Sequence, residues 1–435
     1  MKKTLIALAV ALLGGASMVS CGSSSSSGPP SRLTFRAFVS NPLHETSGGA
    51  TIPALDIVDA SKDVVSATAG VSLSGVMSDV GMMVLTPTRD RTLVVSPSSN
   101  RIAVINNATE AVTTALGLPG PTESLWVVAD GSSVFVAIPS VPVAGQPAGG
   151  VGEFNLVTAA ITAIAPVPAA HYLVPSPTGN QILIFSDNSN LVTLLFPSLI
   201  GTGSQTNTQV PCSATPVAAC TVGGFDRPVW AVFDSSGSTA YVFNCGLECG
   251  GSGNASIVPL NMGTQTTGAP IPLVSGGLTG GATVGLLAGN LLYVAGTPPG
   301  VACGMGTAAQ NCGVLSVVDI ASSAVAAAQL IPDGYHDRMQ MGANGQLFVG
   351  SRTCTNVISA GETRGCLAIY DTVHSTVVVP PQNGDVTGIE PVPNRKVVYV
   401  CQGGALRIYD TTTDQLQTTQ VNIVGQAIDV KVVDF

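Results

Sequence analysis

Apolar and polar positions alternate along this chain in short runs, and the runs are separated by one recurring turn. A strand-like run ends in Asp or Asn, a polar turn follows, and six residues beyond the Asp or Asn an aliphatic residue opens the next run. Asp59 leads to Val65, Asn106 to Val112, Asn155 to Ile161, Asp319 to Val325, Asp371 to Val377 and Asp410 to Leu416. Asn261 is a weaker seventh copy, with Thr267 in the aliphatic place. Asp and Asn suit this position because their side chains bond the backbone two residues on and initiate tight turns. The successive gaps are 47, 49, 106, 58, 52 and 39 residues, so one is double. A degenerate unit is therefore expected between Asn155 and Asn261, its remains visible from Tyr172 to Ile184. That makes eight units of about 50 residues, with seven as the second choice.

Each unit has a second, earlier turn: Ala129-Asp130-Gly131-Ser132, Ser176-Pro177-Thr178-Gly179, Asp234-Ser235-Ser236-Gly237 and Ala343-Asn344-Gly345-Gln346. An apolar run follows it, such as Val134 to Ala137 or Leu347 to Gly350. The unit reads strand, tight turn, strand, variable loop, strand, Asp/Asn turn, strand. Four antiparallel strands repeated around a ring make an all-β propeller. The ends complement one another. Ala427 to Val433 reads as a first strand with no blade after it, and Leu33 to Ser66 as a blade lacking its first strand. Pairing them closes the ring and hides both open edges.

The start of the chain sets its expected address. Lys2 and Lys3 precede the uncharged run Thr4 to Ser20, the layout of a secretory signal. Met18-Val19-Ser20-Cys21 resembles the lipobox of bacterial lipoproteins, which implies acylation of Cys21 and removal of residues 1–20. A plain cleaved signal and an uncleaved anchor are the competing readings. Residues 21–31, rich in serine, have no apolar surface to bury and read as a solvated tether. Residues 32–435 then form a single propeller domain, held to a membrane through Cys21 and expected to be monomeric. Gly22 lacks the Asp that favours inner-membrane retention, which favours the outer membrane.

Composition narrows the partners. Only 9% of residues are charged and aromatics are few, which fits short strands and tight turns and argues against a helical protein. The net charge is −9, or −11 once Lys2 and Lys3 are removed, so nucleic acid is not an expected partner. Besides Cys21 there are nine cysteines, and eight form close pairs: Cys212–Cys220, Cys245–Cys249, Cys303–Cys312 and Cys354–Cys366. An exported chain favours these as disulfides, and no CxxC or neighbouring His supports metal binding instead. Cys401, in the place that Phe243 holds in its own unit, reads as a buried free thiol.

The Ser-Pro-x-x turns, the Leu-Tyr-Val and Val-Tyr-Val second strands and the Ile-Tyr-Asp-Thr third strand resemble the YVTN/lactonase-like propeller family over nearly all of residues 32–435. The resemblance implies the fold and leaves activity open.

Function is sought at the propeller mouth, where the second-to-third-strand loops lie beside the connections between blades. Cys245–Cys249, Cys303–Cys312 and Cys354–Cys366 staple three of those loops. The entries to the inner strands concentrate the scarce charge: Asp226 and Arg227 occupy a place equivalent to that of His336, Asp337 and Arg338 two units on, with Glu123, His171 and Asp385 at corresponding entries. Converging polar groups there suit a small anion, a sugar or a metal ion; Asp–Arg pairs that pin neighbouring blades together are the structural alternative. The histidines, His44, His171, His336 and His374, lack HExxH spacing; no Gly-x-Ser-x-Gly elbow or Cys-x-x-Cys-His occurs, and Trp126 and Trp230 read as core. No cofactor is expected. The reading is a lipid-anchored, non-catalytic binding scaffold for a glycan, peptide or envelope protein. The alternative is a lactonase-like hydrolase using His336, Asp337, Arg338 and Glu123 at the mouth.

Overall fold

A computed structural model describes residues 29–434, except 69, 201–209, 213–217, 303–310, 356, 360, 361 and 364. Within them the chain forms eight four-stranded antiparallel blades. Their inner strands, numbered from blade 1, are Asp429–Val432, Met83–Leu85, Ser124–Val127, Ala170–Pro175, Pro228–Phe233, Val284–Ala288, Tyr335–Met341 and Val386–Pro391. Each inner strand touches the inner strands of both neighbouring blades, so the ring is closed. Blades 1 and 5 add a short extra strand to the third, Val71–Ser72 and Ile271–Pro272. Helical structure is limited to short turns such as Pro197–Leu199 and Gly246–Cys249.

Blade 1 is built from both chain ends. Arg36–Glu45, Thr51–Asp59 and Val64–Val65 supply its outer three strands, and Asp429–Val432 pairs with the first of these as its inner strand. The degenerate unit is blade 4, formed by Ala170–Pro175, Ile182–Ser186, Val192–Leu195 and Ala219–Val222. No Asp or Asn ends its third strand in the sequence, and Cys212–Cys220 ties the segment before the fourth strand to that strand.

Buried residues fall into eight clusters, one for each interface between neighbouring blades. The period-two geometry of a strand divides its residues between two of them. In blade 8, Val398 and Val400 pack toward blade 7, whereas Val397, Tyr399 and Cys401 pack toward blade 1. Both faces of a middle strand are therefore apolar, which is why second strands read as unbroken runs such as Val397–Gln402. Cys401 is a buried free thiol facing the next blade, as Phe243 does.

The Asp/Asn turn repeats in atomic detail. In Asp59, Asn155, Asn261, Asp319, Asp371 and Asp410 the side-chain oxygen accepts the N–H two residues on, at 2.7–3.0 Å. Asn106 takes the N–H of Thr109 instead, at 2.9 Å. Four residues past each of these seven, the backbone is left-handed: Asp63, Glu110, Ala159, Gln265, Ser323, Ser375 and Asp414 have φ from 53° to 58°. None is glycine, although glycine holds that conformation without strain. Three of the seven explain the choice by reaching back to the preceding blade. Asp63 binds Arg395 at 2.5 and 2.7 Å and Tyr399 at 2.5 Å in blade 8. Glu110 pairs with Arg36 of blade 1 at 2.8 Å, and Asp414 accepts from Gln346 of blade 7 at 3.3 Å.

The disulfides Cys245–Cys249 and Cys354–Cys366 lie in second-to-third-strand loops with Cα atoms 5.6 Å apart. The expected pair Cys303–Cys312 involves residue 303, outside the described residues, as are the leader, Cys21 and most of the tether.

Replacing Asp63 by Ala leaves Arg395 only the Ala60 carbonyl and strands the buried Tyr399 hydroxyl at the closing interface, and a loss of about 2–4 kcal/mol in urea unfolding is expected. The exposed Ser323 has the same backbone strain at an open surface, so Ser323→Gly should raise stability by up to about 1 kcal/mol. An unchanged midpoint for the first variant would show that the turn does not lock the ring.

Candidate functional site

The inner strands are bent where they enter the mouth. In blades 4, 5, 7 and 8 the pairing of first and second strands slips by one residue, leaving a bulge at His171, Val229, Asp337 and Thr387. A bulge turns its residue out of the ladder and re-aims the side chain. Of the residues that follow, Tyr172, Trp230 and Arg338 face the space on the axis.

That space is a cavity of about 500 Å³ lined by residues of all eight blades. Its wall is mostly apolar, with Met82, Leu125, Trp230 and Met339 prominent. The polar groups are concentrated at blades 3, 4 and 7. Two tyrosines from blades 4 and 7, three positions apart in the ring, meet there: the hydroxyls of Tyr172 and Tyr335 lie 3.1 Å apart. Tyr172 also stacks on His171 and meets Trp230 edge-on.

Asp337 is held by two cations of its own blade, Arg338 at 3.1 Å and Arg352 at 2.6 Å, through one oxygen. Its other oxygen is buried without a partner. Burial pushes its carboxyl upward, and the guanidiniums oppose that shift. Arg338 donates to the Thr387 carbonyl at 2.8 Å, and the Arg352 guanidinium lies over the Tyr335 ring. Glu123 faces His171 at 3.8 Å, and this imidazole holds the carboxyl below the usual range. His171 is raised by Glu123 first, against its burial, and by Asp187, 2.7 Å from its Nδ1. Deeper in the cavity, burial works to lower Lys431, but Asp429 and Glu390, each 3.6 Å away, hold it above its ordinary value.

The structure divides the residues expected at the mouth. Glu123, Asp337 and Arg338 share the axial cavity, and His171 and Arg227 line a cleft beside it. Asp226 instead folds onto the stapled loop, accepting from Ser252 and Gly253 at 2.7–3.2 Å. Asp385 accepts the Thr353 N–H at 2.8 Å and so fastens the Cys354–Cys366 loop. His336 leaves the mouth: it alternates with Asp337 along the strand, is 1% exposed, and is wedged between blades 6 and 7 beside Thr297. Burial lowers its pKa to about 4. The expected equivalence of Asp226–Arg227 with Asp337–Arg338 also fails, because the bulges align Asp337 with Val229 and Arg338 with Trp230. Asp337 pairs within its own blade rather than pinning two blades together, and Trp230 lines the cavity.

Sequence reasoning did not find Tyr335, Arg352 or Lys431, and it met Tyr172 only as a strand residue. A signal existed for the first: Tyr335 directly precedes the His-Asp-Arg entry, whereas Arg352 reaches it only through the ladder, opposite Tyr335. It also missed Glu248, on the Cys245–Cys249 loop. That carboxyl accepts the Thr297 N–H of blade 6 at 2.7 Å, while its other oxygen is buried without a partner. Gly281 and Gly296 make room for it; a Cβ on either would lie 2.5–2.6 Å from the carboxyl. Burial raises its pKa to about 7.

No protein-family model matches the chain, and no curated protein is similar to it. Solved structures are similar to it in fold. Dihydro-heme d1 dehydrogenase NirN, in complex with DHE, superposes with a TM-score of 0.61 at 12% identity, over 93% of this chain and 76% of that one. A functionally unknown protein from Desulfotomaculum acetoxidans DSM 771 gives 0.49 at 11% identity, over 92% and 99%. The likeness to NirN shows the fold alone and nothing of the chemistry.

Glu248 yields a pH test. Its folded pKa lies above the unfolded one, so the folded state holds the proton more tightly and stability falls as pH rises through about 4.5 to 7. Above pH 7 the buried charge costs on the order of 3 kcal/mol. Glu248→Gln should therefore be more stable than the parent at pH 8, with the difference vanishing near pH 4. Urea midpoints at the two values check this, and parallel curves would refute it.

Proposed function

We propose that this protein is an exported propeller of the YVTN/lactonase-like kind, anchored through Cys21 by lipid, that binds a small ligand in its axial cavity without transforming it. The observation that supports this reading most is the cavity itself. Its volume of about 500 Å³ falls in the range of small-molecule sites, and an apolar wall surrounds a few convergent polar groups. The same residues are held stiffly: Asp337 by two guanidiniums, Arg338 by the next blade, and the tyrosines by one another. A pre-organised site loses little entropy on binding. The disulfides of the mouth loops suit an oxidising compartment outside the cytoplasm, and no helix among the described residues is long and apolar enough to cross a membrane.

The hydrolase reading retains one specific support. Glu123 and Asp337 share the cavity and are shifted in opposite directions, one toward a permanent carboxylate and the other toward the acid. His336, the base that reading would use, is sealed away from the cavity.

Thermal unfolding against sugars, cell-wall fragments, lactones, a tetrapyrrole and divalent metals tests the proposal. A ligand at 100 times its dissociation constant stabilises the folded state by about 2.7 kcal/mol. The expected result is a rise in Tm with one class that is lost in Arg338→Ala. No rise with any class argues against a small-ligand site, and turnover of a lactone would replace binding by hydrolysis.

A further inference from the structure

The axial cavity leaves its ligand's chemistry open, and a second recess narrows it. A cleft of about 200 Å³ opens between blades 4 and 5. It shares Tyr172, Val229 and Tyr335 with the axial cavity, so the two recesses meet at the tyrosine pair. Its far wall is polar, formed by Asp187, Asn188, Ser189 and Arg227, with Cys249 of the stapled loop at the edge.

Charge in this cleft is unevenly matched. Asp187 is engaged by His171 at 2.7 Å, and His171 also faces Glu123. Asp226, the neighbour of Arg227, is used up in fastening residues 252 and 253. Among the described residues Arg227 has no carboxylate partner; its Nε donates to the Gly250 carbonyl at 3.3 Å, and its Nη1 is buried with no partner. The backbone keeps it there. Arg227 is left-handed at φ 53°, its N–H is bound by the Asn190 side chain at 3.1 Å, and Pro228 fixes the next residue. A buried donor without a partner is costly to keep, and a ligand acceptor brought to it removes that cost. A guanidinium presents two parallel donors, which match a carboxylate.

We propose that the cleft between blades 4 and 5 is an anion subsite of the axial binding site, where Arg227 takes the carboxylate of a ligand whose ring lies against Tyr172 and Tyr335. The inference rests on the axial cavity being a ligand site. The ligand is then an elongated acid that runs past the tyrosine pair. An acidic sugar and an aromatic acid share this chemistry, and both aromatic walls and hydroxyl partners are present for either.

Titration calorimetry with digalacturonate, biphenyl-4-carboxylate and neutral N,N′-diacetylchitobiose tests it on the parent protein, Arg227→Gln, Arg227→Lys and Arg338→Gln. One acid is expected to bind, and which one does so identifies the ring. Arg227→Gln should weaken that acid about tenfold or more and leave chitobiose unchanged, while Arg227→Lys, which keeps the charge but loses the paired donors, should fall between the parent and Arg227→Gln. Binding of the acid should also weaken as salt is raised. Melting temperatures equal to that of the parent show that the variants fold. Acid binding indifferent to Arg227→Gln but lost in Arg338→Gln overturns the anion subsite and leaves the axial site standing. Binding of none of the three probes to the parent, or binding that neither substitution alters, overturns both.

Discussion

Every blade of this ring has two apolar faces, and each is buried only by a neighbour. The eight buried clusters are all interfaces between blades; no blade keeps a core of its own. An open arc would leave two such faces in water, so the fold is stable only as a closed circle. The interface between blades 8 and 1 carries that requirement. There Asp429–Val432 enters blade 1, and Asp63 ties Arg395 and Tyr399 across the seam. The left-handed turn residue performs the same service between blades 1 and 2 and between blades 7 and 8, which accounts for a strained Asp or Glu where glycine would be more comfortable.

Closure also makes the site. Inner strands converge on the axis, and a polar group placed there meets others from blades far away in the chain. Tyr172 and Tyr335 are 163 residues apart and touch. The scarcity of charge elsewhere follows from the same geometry, since both faces of most strands are interior. Charged side chains are left to the turns, the seams and the mouth.

This division explains what could be read from the sequence. The Asp/Asn turn is local chemistry, repeated, so its spacing revealed eight units, and the doubled gap located blade 4 although that blade lacks the turn. The complementarity of the two chain ends was also legible, because a three-stranded start and a one-stranded finish are visible as patterns. The entry residues were harder. A one-residue bulge reverses which side chain faces the axis, and nothing near His336 marks that it turns between blades while Asp337 turns inward. Arg227 lies three places before the position equivalent to Arg338, because the entry to blade 5 was aligned on its Asp-Arg pair rather than on its bulge. Tyr172 and Tyr335 meet because of the ring's circumference, a property of all eight units together that no local pattern records.

The seam at blade 1 has a kinetic side. Its inner strand pairs residues near position 40 with residues near 430, the longest sequence separation the fold contains. Local hairpins can form as each blade emerges from the ribosome, but the first blade stands with an unpaired edge until Val432 has been made. Folding to the finished ring is therefore a late, single event, slowed by a loop spanning nearly the whole chain. For all the time before it, the growing polypeptide carries unpaired sheet edges in need of shelter, and the strand Asp429–Val432 decides when that exposure ends.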